Sequence, residues 1–107
     1  MAKLAEILTG PETWCKHTLE IADPFRRRCL IGALMVFVPR EELEKERLRL
    51  SDVISQVTGQ SIVRSIEVGG RFSPSDGIAH WQDAKERTWD DIVPVIEAYD
   101  RDRLLNP

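Results

Sequence analysis

Two cysteines and two histidines, Cys15, His17, Cys29 and His80, carry the sharpest chemistry in the chain. As a set they suit Zn²⁺, which takes thiolate sulfur and imidazole nitrogen in a tetrahedron. A Cys-x-His pair followed far along the chain by one Cys and one His matches no zinc-finger spacing, so neither a metal nor any other cofactor is expected. A thiol nucleophile is the second reading. Cys29 follows three arginines near what reads as a helix start, and positive charge with the helix dipole lowers a thiol's pKa. His80 would then be the base and Asp83 its orienter. Against this, Cys29 runs into Leu-Ile-Gly-Ala-Leu, which points inward, and a nucleophile must be reachable. A buried packing thiol is the stronger expectation, with both imidazoles bonded to carbonyls or carboxylates.

Arg26, Arg27 and Arg28 form the one dense basic cluster. Read as the first turn of a helix, they oppose its dipole and call for a compensating anion. An external phosphate or an acidic partner would serve. Internal carboxylates such as Glu20, Asp23 or the acidic C-terminal helix would serve more simply. Trp81 lies in a segment with no helical pattern and is a candidate surface anchor for a partner. Trp89 begins an apolar stripe and reads as core.

Periodicity and punctuation give the segments that hold these groups. Residues 2–8 read as a short helix ended by Thr9-Gly10-Pro11. Residues 14–21 alternate apolar and polar, a strand pattern, and 61–68 are rich in β-branched residues; the two are expected to form a short two-stranded element. Asp23 before Pro24 and Phe25 looks like an N-cap, giving a buried core helix over 25–38. Gly32 costs about 1 kcal/mol in a helix interior, so another element must cross closely there. Residues 39–58 form an amphipathic helix ended by Gly59. Gly69 to Gly77 reads as a flexible loop, and 78–85 as an extended or turn segment. Thr88 and Asp91 form a capping-box-like start for a helix over 88–104, with Pro94 inside it as a kink or a late start. The expected fold is mainly α: three or four helices around a buried central helix, in a single domain of residues 1–107.

With 107 residues, 42% of them hydrophobic and 31% charged, the chain has the composition of an ordinary globular domain. Its longest apolar run, Cys29 to Val38, is half of the about 20 residues a membrane span needs. Glu6 interrupts the N-terminus, which lacks a secretory pattern, so a cytoplasmic setting is expected. A net charge of −3 argues against nucleic-acid binding, which rests on a basic face.

Cys29-Leu30-Ile31-Gly32-Ala33-Leu34, Trp81-Gln82-Asp83, Arg87-Thr88 and Ile92-Val93 follow one another in an order that resembles a family of small uncharacterised actinobacterial proteins, also met in actinobacteriophages. That family has a Cys-x-x-Gly-Ala-Leu helix, a Trp-Asn-Asp segment, then Arg-Thr and a final helix. Here Gln82 stands in place of the Asn, and Pro94 departs from the smooth final helix. The resemblance implies an actinobacterial or phage host and a cytoplasmic setting; it transfers no activity and no catalytic residue. The leading expectation is a small non-enzymatic binding or regulatory protein that works by protein–protein contact, a homodimer included, through Arg26, Arg27, Arg28 and Trp81. The alternatives are a thiol or metal enzyme on Cys29, His80 and Asp83, and nucleic-acid binding through the three arginines.

Overall fold

The computed structural model describes residues 3–22, 24, 26–59, 67–68, 71–72 and 74–107. The molecule is mainly helical. Its elements run α1 (Leu4–Ile7), β1 (Glu20–Ile21), β2 (Arg27–Arg28), α2 (Leu30–Phe37), α3 (Leu43–Thr58), β3 (Glu67–Val68), β4 (Arg71–Phe72), α4 (Pro74–Asp83) and α5 (Trp89–Leu105). β1 pairs antiparallel with β2, and β3 with β4. One cluster of buried side chains joins all five helices, from Leu4 and Leu8 through Leu30, Leu34, Leu50, Ile54 and Ile78 to Ile92 and Tyr99. Among the described residues no helix is long and apolar enough to cross a membrane.

The core helix starts later than the Asp-Pro-Phe signal suggests. Arg27 and Arg28 belong to β2, and Cys29, in extended backbone, is the N-cap of α2. Asp23 and Phe25 lie outside the described residues. The three arginines therefore do not load a helix N-terminus, and no dipole needs compensating. Arg28 faces Glu20 across the strand pair, N to O 3.8 Å, which is one of the internal pairings the sequence allowed. α2 is buried only over Leu30 to Leu34, whereas Met35 and Val36 are exposed.

Strand pairing also differs. Of residues 14–21, only Glu20–Ile21 is a strand, and its partner is the next segment, Arg27–Arg28. Trp14 makes a lone bridge to Arg28, and residues 16–19 bend. Alternation over eight residues came from a loop that buries Cys15 and threads past α2. Residues 61–66 lie outside the described residues, while Glu67–Val68 pairs locally with Arg71–Phe72. The segment read as a loop over 69–77 thus holds β4 and the first turn of α4; residues 69, 70 and 73 lie outside the described residues. Residues 78–83, read as extended, are helical because Ile78, Trp81 and Gln82 at i, i+3 and i+4 turn one face inward.

The two long helices behave as patterned. A tight 3₁₀ turn, Arg40–Glu42, leads into α3, and Gly59 in left-handed backbone (φ 73°) closes it with its N–H on the Ser55 carbonyl. α5 opens on Thr88, whose backbone N–H donates to the Asp91 carboxylate at 2.9 Å. It begins at Trp89 with Pro94 on its exposed side, so the proline does not delay it. Asp100 of α5 accepts the N–H groups of Leu4 and Ala5 and so holds α1.

A charged cluster locks α3 to α5. Glu46 is 4% exposed. Its Oε1 accepts from the Tyr99 hydroxyl at 2.7 Å and from Arg49 Nε at 3.1 Å, and faces Arg103 Nε at 3.4 Å. Arg49 also reaches Asp102 at 2.6 Å. Nothing in the apolar periodicity of α3 signals this, since Glu46 sits among other charges in the sequence.

Candidate functional site

The site begins at Gly32. A Cβ there would overlap the Leu19 carbonyl group, so only glycine lets the Cys15–Leu19 loop run across α2. The close crossing that a mid-helix glycine implied is this loop. Hydrogen bonds fix it: Cys15 N–H to the Arg28 carbonyl at 3.1 Å, and Cys29 N–H to the Leu19 carbonyl at 3.3 Å.

Helix α4 supplies the second wall through Ile78, Ala79, Gln82 and Asp83, and Trp81 anchors it in the core. Trp81 is 4% exposed and is core, which corrects its reading as a surface anchor. Its ring lies under the Arg87 guanidinium at 4.3 Å, and Arg87 Nε donates to its carbonyl. Gln82, also buried, is the joint of the site. Its Oε1 accepts from the Leu30 N–H at 2.7 Å, satisfying the first turn of α2, and from the Trp14 indole at 3.2 Å. Its Nε2 donates to Asp83 Oδ1 at 3.0 Å. Asp83 reaches back to the loop, accepting the His17 backbone N–H at 3.0 Å and facing His17 Nδ1 at 3.7 Å. Lys16 beside it donates to the Ala84 carbonyl at 2.8 Å.

His17 has a left-handed backbone, φ 68°, which a β-carbon disfavours. The paired contacts to Asp83 hold it there. Its side chain is largely exposed, while that of Asp83 is one-quarter exposed.

Between loop, α2 and α4 lies a cleft of about 200 Å³, lined by His17, Thr18, Leu19, Cys29, Ile31, Ile78, Ala79, Gln82 and Asp83. Leu19 is 49% exposed at this place, an apolar side chain left in water. Cys29 is a free thiol and 6% exposed; its sulfur accepts the Gly32 N–H at 3.3 Å as the N-cap of α2. Burial pushes the Cys29 thiol above its ordinary value, and the Asp83 charge adds to this. The Gly32 and Ile31 N–H groups pull the other way without prevailing. The arginines upstream do not activate it.

The fold thus brings Cys29 and Asp83 together but pairs Asp83 with His17. His80 is exposed on α4 and is not among the lining residues. Among the described residues, no three of the His, Cys, Asp and Glu side chains gather as a metal site, so Cys15, His17, Cys29 and His80 form no zinc tetrad. Arg26 is exposed beside β2 with φ 49°, and neither it nor Arg27 and Arg28 lines the cleft. Sequence reasoning missed His17 as Asp83's partner and Gln82 as the joint. The one signal available was adjacency: a polar pair, Gln82-Asp83, directly after a core tryptophan.

With the chain's helices and cleft in view, its relationship is plain from residues 1–101, which match the sequence model described as a family of unknown function, DUF6197. The chain belongs to this family. No curated protein and no solved structure matches it. In this DUF6197 member the matched stretch includes every residue of the cleft.

Proposed function

We propose that the protein is a small single-domain binding protein that works by contact with another protein, seating one apolar side chain of its partner in the cleft between the Cys15–Leu19 loop, α2 and α4. The observation that carries this is the cleft itself. Its walls are Leu19, Ile31, Ile78 and Ala79, and its volume of about 200 Å³ suits one side chain better than a drug-sized ligand, which takes roughly 300 Å³ or more. A pocket that receives a single apolar anchor is where binding energy concentrates in protein interfaces. Leu19, half exposed at the edge, adds apolar surface for the partner to cover. Cys15 and Cys29, not joined in a disulfide, fit a reducing, cytoplasmic setting. An actinobacterial or phage host, as the resemblance implies, fits the same role.

The test is photo-crosslinking from Leu19 in a host lysate, with and without the cleft. A photoreactive phenylalanine at position 19 is expected to capture one protein reproducibly. Ala79→Trp, which fills the cleft, is expected to abolish the capture while the melting temperature stays near that of the parent. Capture that survives Ala79→Trp would remove the cleft from the reading, and no reproducible capture would remove the reading.

A further inference from the structure

We infer that Cys29 is an acyl acceptor: its sulfur, with the His17 imidazole as base and Asp83 as the positioning carboxylate, takes a short apolar acyl group from an activated ester. The inference goes beyond contact with a partner and rests on what the cleft brings together. Cys29, His17 and Asp83 line one cavity although they come from the N-cap of α2, a loop and the end of α4. Leu19, Ile31, Ile78 and Ala79 line the same cavity and give an acyl tail an apolar wall. Asp83 accepts the His17 backbone N–H at 3.0 Å and faces the ring's Nδ1 at 3.7 Å, which sets a carboxylate beside the imidazolium that forms on proton transfer.

Cys29 rests as a protonated thiol, because burial and the nearby carboxylate raise it. Attack therefore needs a base. The Nε2 atom takes the Sγ proton as sulfur bonds the carbonyl carbon. The carbonyl electrons shift to oxygen and return, the bond to the leaving oxygen breaks, and that oxygen takes the proton from His17. The products are a thioester on Cys29 and a free alcohol, and no oxidant or reductant enters.

Burial sets the lifetime of that thioester. Cys29 is 6% exposed, and an acyl tail lying against Leu19, Ile31, Ile78 and Ala79 covers the cleft, so water reaches the thioester slowly and one acyl group is taken per molecule.

The experiment uses the full chain and p-nitrophenyl butyrate, and contains no partner protein, so its failure leaves the contact reading standing. One equivalent of nitrophenolate is expected, with one butyryl group found on Cys29 by peptide mass mapping and none on Cys15, which is buried with its thiol toward the Thr18 carbonyl. His17→Asn, which tolerates the left-handed backbone, is expected to slow acylation about 100-fold. Added imidazole should restore part of the rate, which a merely structural role would not allow. His80→Ala should leave the rate at that of the parent. Acylation of Cys15 as fast as Cys29, a rate unchanged in a folded His17→Asn variant, or no acylation of the folded parent would each overturn the inference.

Discussion

At Gly32 two physical tendencies oppose each other. Alanine would favour the helix by about 1 kcal/mol. Its methyl group would also strike the Leu19 carbonyl, which cannot retreat without giving up the Cys29 N–H. Overpacking of backbone costs about 1–3 kcal/mol. Gly32→Ala is therefore expected to lower the urea midpoint, and a raised midpoint would show that the loop yields freely. Gln82 poses the reverse problem, a side chain with every polar atom engaged. Gln82→Leu keeps the volume but strands the Leu30 N–H and the Trp14 indole. A buried unsatisfied donor costs about 1–3 kcal/mol, so this change should destabilise more than Gly32→Ala. The shorter Gln82→Asn cannot span both donors and should fall between the parent and Gln82→Leu in thermal melts.

At the scale of elements, α5 carries two features of opposite sign. Its start is fastened by Thr88 and Asp91, and Asp91→Ala should cost about 1 kcal/mol. Pro94 lies inside the helix on its exposed side and removes the N–H that would meet the Asp90 carbonyl. Because that carbonyl can turn to water, the helix persists at a cost. Pro94→Ala is expected to raise the melting temperature; a fall would mean that the ring makes contacts worth more than the lost hydrogen bond. The α3–α5 seam depends on Glu46. Glu46→Ala leaves the Tyr99 hydroxyl and two guanidinium groups without their shared acceptor. Removing one partner of such a buried cluster costs about 3–5 kcal/mol, enough to unfold a good part of a domain of this size at 37 °C.

For the whole molecule, stability is tied to pH on the alkaline side. Burial and the Glu46 carboxylate hold the Tyr99 hydroxyl well above its ordinary value of 10.0, and burial raises the Cys29 thiol above 9.0. Both groups stay protonated in the fold where the unfolded chain would lose the proton. Their contribution is thus complete below about pH 9 and is lost as pH climbs through the raised folded values. Each group adds a slope of about 1.4 kcal/mol per pH unit in the window between its two values. Urea titrations from pH 8 to 11 should show stability falling, more steeply above pH 10. Tyr99→Phe should remove the steeper part, and a slope unchanged in that variant would count against the burial account. Leu104 and Leu105, 66% and 71% exposed at the end of α5, lie outside this core. Changing both to Gln should leave the alkaline curve where it is.

The long helices were legible from residues alone because their signals are local. Apolar spacing at 3.6, Gly59 as a stop, and Thr88 with Asp91 as a start act within a few residues of themselves. So did the glycine waist, since a mid-helix Gly32 needs a neighbour to justify it. The strands were not legible: two-residue ladders carry too little periodicity, and Arg27–Arg28 reads as well in a helix start as beside Glu20. α4 was hidden by Pro74 and Gly77, and became a helix because Ile78, Trp81 and Gln82 found a core to enter. The cleft was the least legible part. Sequence placed Cys29 and Asp83 as candidates, but took His80 as the base that Asp83 would orient. Tertiary structure chose His17, because α4 presents Asp83 to a loop that Gly32 allows to cross α2. Local sequence can therefore specify which segments coil and which side chains are able to react, whereas contact between residues sixty-six positions apart is fixed only when the core sets how the helices pack.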